Sequence, residues 1–142
     1  MPLKVNEEFN AIKSLVQGLI GGSREESKIV DLERLIPKEQ AKIKDKIQQL
    51  RQEKAKVETF AKDLEVSLFE GVDMTAAASR LVDFKREIEH EQQSIRLESL
   101  RIGSQITNLE KSLKILDKIQ RKFKEAPDHE LQNDFKLYIK FR

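Results

Sequence analysis

The chain has 142 residues and a mass of 16.5 kDa, room for one domain with one core and too little for two. Charged side chains make up 37% of it, yet 27 Lys and Arg stand against 25 Asp and Glu, so the formal net charge of +2 argues against a dedicated polyanion binder while leaving a local basic patch open. Cysteine is absent, which removes disulfides, thiol nucleophiles, iron–sulfur clusters and thiolate zinc sites.

Seven Phe, one Tyr and no Trp accompany five Gly and three Pro, a bias toward helices around a thin core. The opening MPLKVNEEFN carries acids where a signal peptide needs a positive head, and no run approaches the ~20 apolar residues of a membrane span. An intracellular, cytoplasmic protein without membrane insertion is expected.

In chain order, Phe9, Ile12, Val16 and Leu19 recur at helical spacing and predict a helix over 6–20, stopped by Gly21-Gly22. Ser23 and Glu26 form a capping-box signature for a second helix over 24–36, which carries Ile29, Leu32, Leu35 and Ile36 and ends at Pro37. From 38 to 70 there is no Gly or Pro, and Ile36, Ile43, Leu50, Val57 and Leu64 repeat every seven residues, a coiled-coil seam with Lys54 in one alternate position. After Gly71 the spacing predicts a long helix over 73–125, in which Leu81, Ile88, Ile95, Ile102, Leu109, Leu116 and Phe123 hold the same period. A short helix over 128–140 follows, with Asp128 as its cap.

These elements predict a single all-α domain over 1–142: a long antiparallel helical hairpin, a coiled coil, with short N- and C-terminal helices packed at its base. A tight turn at Gly71 makes partner numbers sum to about 142, so that Leu50 meets Gln92 and Ile47 meets Ile95. The rods are then unequal, roughly 50 Å and roughly 80 Å, and the long one runs past its partner beyond Ile106. Its bare apolar end, with Leu109, Leu113, Leu116 and Phe123, must be covered either by another subunit or by the chain's own short helices, through Phe9, Ile12, Val16 and Leu19 from the first and Phe135 and Tyr138 from the last.

No catalytic constellation emerges. Glu87 and His90 have the i, i+3 spacing of a bundle metal pair, but the seam phase turns both toward solvent and no second pair matches them. His129 lacks a nucleophile and an orienting group, and the glycines are too few and wrongly spaced to cradle phosphate. Neither an enzyme, a metal nor a cofactor is expected.

Two surface features carry the functional expectation. Phe60, Val66, Phe69, Phe84, Leu97 and Leu100 exceed what one antiparallel pair can bury, with Leu64, Leu68, Met74 and Leu81 beside them at the tip, and they point to a scaffold or adaptor that binds protein, its own copy or a larger assembly. Residues 111 to 142 carry nine basic and five acidic side chains, and Lys111, Lys114, Lys118, Arg121 and Lys122 fall opposite the apolar stripe. That ridge supports an alternative as a nucleic-acid-binding accessory protein, or a contact with an acidic partner.

Overall fold

The computed structural model describes residues 7–20, 22, 24–70 and 78–142, with side chains described outside 65–70 and 78–81. Four helices account for the regular structure among the described residues: α1 (Glu7–Leu19), α2 (Glu26–Glu70), α3 (Ala78–Lys122) and α4 (Asp128–Phe141). The fold is all-α, a helical hairpin with short terminal helices. Two compact units divide it, one formed by Met1–Ile47 with Thr107–Arg142 and the other by Gln48–Ile106.

Pro37 does not end a helix. The expected elements over 24–36 and 38–70 are one continuous helix with the proline inside it. An interior proline removes one backbone hydrogen bond and crowds the preceding turn, at a cost of about 3 kcal/mol. Here the exposed ring faces outward, while Leu32 and Ile36 before it and Ile43 and Ile47 after it are buried in one unbroken stripe. Packing on both sides of the proline holds the helix through it.

The expected register is also corrected. The Ser99 hydroxyl donates to Glu58 Oε1 at 3.3 Å, the Lys54 ammonium lies beside Gly103, and Lys124 pairs with Glu33; in each case the two residue numbers add to 157. Leu50 therefore lies level with Ile106 rather than with Gln92, and both are buried, at 4% and 9% exposure. The two rods are equal, 45 residues each, and α2 reaches level with the end of α3, so no bare apolar end is left. The connection falls in 71–77, outside the described residues, as does Ser23 of the expected capping box.

In the first unit, Ile12, Val16 and Leu19 of α1 form an i, i+4, i+7 stripe with no exposed surface, as an amphipathic helix requires. They share a core with Leu32, Ile36 and Ile43 of α2, with Leu116, Ile119 and Phe123 of α3, and with Leu131, Phe135 and Tyr138 of α4. The predicted base residues are thus gathered here, with two adjustments. Leu113 is half-buried while its neighbour Ser112 is fully buried, its Oγ without a hydrogen-bond partner. Phe9 is half-buried, its ring 5.7 Å from that of Tyr138.

Arg24 closes the end of α3. Its guanidinium donates to the carbonyls of Phe123 and Ala126 and stands 3.5 Å from the Asp128 carboxylate. The last carbonyls of a helix have no intrahelical donor and carry the negative end of its dipole, so a cation is favoured there. Asp128, expected as the cap of the last helix, is instead its first residue: Pro127 is the N-cap and makes no side-chain capping bond.

Candidate protein-docking surface

The unit Gln48–Ile106 is a two-helix pair with a thin interior. Four apolar side chains are buried in it, Leu50, Ile88, Ile102 and Ile106, among the side chains described. Along the rest of its seam, Lys54, Val57, Ala61 and Leu64 of α2 and Gln92, Ile95 and Ser99 of α3 are half-buried. Polar groups at such positions fix pairing at the expense of stability. Lys54 lays its stem along the seam and turns its ammonium to within 3.8 Å of Glu58, the behaviour of a snorkelling lysine.

Against that interior stand five large apolar side chains facing solvent. Leu97 and Leu100 are 61% and 69% exposed, Phe60 and Val82 54% each, and Phe84 47%. Phe60, Phe84, Leu97 and Leu100 are where the sequence put them. Val82 was missed, although helical phase sets it on the same outward face as Leu100. Leu64, expected at the tip contact, belongs to the seam, and Val66, Leu68, Phe69, Met74 and Leu81 lie outside the side chains described.

A shallow open groove of about 470 Å³ runs along one side of the pair, with Val57 and Ile95 as its floor, Phe60 as its wall, and Lys56, Glu91, Ser94 and Glu98 around it. Glu98 is engaged by the Arg101 guanidinium, whose hydrogen bond holds its carboxyl below the usual carboxylate range. A second, more polar groove lies on the other side, lined by Glu58, Lys62, Gln92, Arg96 and Ser99 with Ala61 and Ile95.

Glu87 and His90 line a surface depression with Glu91 and Ser94, all on one helix. Among the described residues, no group of three or more His, Asp or Glu side chains is placed to hold a metal ion, and no helix is long and apolar enough to cross a membrane. His129 is exposed at the start of α4.

The basic ridge belongs to the first unit, which occupies three of its five cations. Lys118 bonds Asp134 at 3.0 Å, Arg121 pairs with Asp117 at 3.1 Å on its own helix, and Lys111 stands over the Phe141 ring, 5.1 Å from its centroid. Lys114 and Lys122 are exposed. Beside them Lys42 donates to Glu8, and that hydrogen bond holds the Glu8 carboxyl below its ordinary value.

One polar cluster escaped the sequence reading. Glu39 has no exposed surface; its Oε1 accepts from the Tyr138 hydroxyl at 2.8 Å and from Arg142 Nε at 2.5 Å, while its Oε2 has no hydrogen-bond partner. Burial first, then the Glu39 charge and its hydrogen bond, raise the Tyr138 phenol far above its ordinary range. The three groups lie 99 and 103 positions apart along the chain, and no local pattern announces them. They pin α4 to the core.

The chain matches no known family model, and neither a curated protein nor a solved structure matches it significantly.

Proposed function

We propose that this protein is a non-enzymatic helical scaffold or adaptor, and that the unit Gln48–Ile106 is its protein-binding part. The observation that carries this reading is the balance among the side chains described in that unit: four buried apolar ones against five that are about half exposed or more, Phe60, Val82, Phe84, Leu97 and Leu100. A pair of helices gains nothing in its own stability from Leu97 and Leu100 on its outer face, whereas a partner helix gains an apolar anchor from each. Lone surface leucines are ordinary, but two on one helix face, i and i+3 apart, make a patch.

The nucleic-acid alternative draws less support. Phosphate binding needs several free cations along one path, and Lys111, Lys118 and Arg121 are engaged within the unit that carries them.

The test is photo-crosslinking in the cell of origin. Benzoylphenylalanine at position 60, 84, 97 or 100 should give a discrete adduct with a protein, and at Gln52, exposed but polar, should give none. Absence of any adduct from all four apolar positions would overturn the reading.

A further inference from the structure

Apolar packing is unevenly spread along the unit Gln48–Ile106. Leu50, Ile102 and Ile106 are buried at the end where α2 enters the unit and α3 leaves it, whereas beyond them Ile88 is the one buried apolar side chain among those described. A weak layer separates the two stretches. There Lys54 takes a seam position on α2, and its stem crosses α3 at Gly103, where a Cβ would stand 3.8 Å from Cε and 3.6 Å from Nζ. A lysine in a seam gives up an apolar knob, and a glycine inside a helix is a poor helix former, so the layer adds little burial and little local propensity.

Past that layer the seam sets Val57, Ala61 and Leu64 against Gln92, Ile95 and Ser99, all half-buried, and the bond from Ser99 to Glu58 at 3.3 Å is open to solvent. The first unit is built otherwise: Leu32, Ile36, Ile43 and Leu116 have no exposed surface. Segments with few buried apolar contacts and exposed hydrogen bonds open at lower free energy than a packed core.

We infer that the helix pair beyond Lys54 and Gly103 opens as a cooperative unit of its own while the core of the first unit stays folded. Most helical stability comes from a packed face rather than from propensity, so parting the seam also melts the helical turns on either side of it. Opening switches off a surface, because Val57 and Phe60 of α2 and Ile95 of α3 line one groove only while the pair is closed. That consequence rests on the protein-binding reading of the unit; the opening itself does not.

Amide hydrogen exchange of the full chain, followed by mass spectrometry and corrected for intrinsic rates, tests this. Amides of 57–64 and 86–99 should exchange roughly a hundredfold faster than those of 32–43 and 109–119. Two variants then separate local from global opening. I119V, a conservative change at a buried position of the first unit, should speed the slow amides of 32–43 and 109–119 about fivefold and leave 57–64 and 86–99 at their wild-type rate. Q92L, which puts an apolar side chain into a half-buried seam position, should slow 57–64 and 86–99 about fivefold and leave 32–43 and 109–119 unchanged.

A common exchange rate for the two sets of segments would overturn the inference. So would an I119V variant that speeds both alike, or a Q92L variant that slows both alike, since the chain would then open only as a whole. Either failure, with crosslinks from positions 60 and 97 intact, would remove the switch and leave the protein-binding reading standing. The predicted exchange pattern without any crosslink would do the reverse.

Discussion

Tyr138 donates its phenolic hydrogen to the wholly buried carboxylate of Glu39 at 2.8 Å, across ninety-nine residues of sequence. That bond and the adjacent contact from Arg142 tie the last helix to the middle of α2. A buried carboxylate is costly unless it is paired, and removing one partner leaves the charge uncompensated. Tyr138→Phe should therefore cost about 2 kcal/mol, the range for a hydrogen bond to a charged group, and Arg142→Ala about 3 kcal/mol. Urea unfolding followed by helical circular dichroism measures both, and equal stability of all three proteins would show that the cluster contributes nothing.

The same cluster makes the stability of the fold depend on pH in the alkaline range. The Tyr138 phenol is raised above its ordinary value of 10.0 in the folded protein, so the folded state holds that proton where the unfolded state releases it. Linkage then makes this contribution complete below about pH 10 and progressively lost as pH rises above it. Stability of the wild type should decline above pH 10 more steeply than that of Tyr138→Phe, whose position has no proton to lose. Parallel declines for the two would refute this.

Arg24 donates to the carbonyl of Phe123, just past α3, and to that of Ala126, in the turn before α4, and faces Asp128. Arg24→Ala strips the donor from both, and charge-assisted bonds of this kind are worth about 1.5 to 3 kcal/mol. The loss should appear first as faster amide hydrogen exchange around residues 119–131, before any effect on Gln48–Ile106. Unchanged exchange there would show that solvent replaces the guanidinium without loss.

Exposure separates two leucines from a neighbouring isoleucine. Leu97 and Leu100 are 61% and 69% exposed whereas Ile102 has no exposed surface. L97S/L100S should remain helical and lose less than about 1 kcal/mol, while Ile102→Ser should cost about 3 kcal/mol through lost burial and the cavity it leaves. Comparable losses from both would mean that the outer face of α3 is packed after all.

Much of this fold is legible in the sequence because helical periodicity is a local property. The stripe of Ile12, Val16 and Leu19 and the sevenfold run of Ile88, Ile95, Ile102 and Leu109 identify both the helices and their inward faces. The outward position of Leu97 and Leu100 follows from the same phase, and so most of the candidate surface could be named in advance.

The register could not be, because heptads look alike after a shift of about two repeats. A turn assumed at Gly71 put Leu50 beside Gln92. The observed register sets it beside Ile106 and matches apolar with apolar. Pro37 misled in another way: Leu32, Ile36, Ile43 and Ile47 keep phase across it, a signal of continuity that outweighs the local penalty. The Glu39, Tyr138 and Arg142 cluster depends on three helices meeting, and no window of sequence contains it.

The claim that the exposed apolar face of Gln48–Ile106 binds protein is tested most directly by photo-crosslinking in the cell of origin from positions 60, 84, 97 and 100, beside Gln52. The account predicts a discrete protein adduct from the apolar positions and none from Gln52. No adduct from any of the four apolar positions would contradict it.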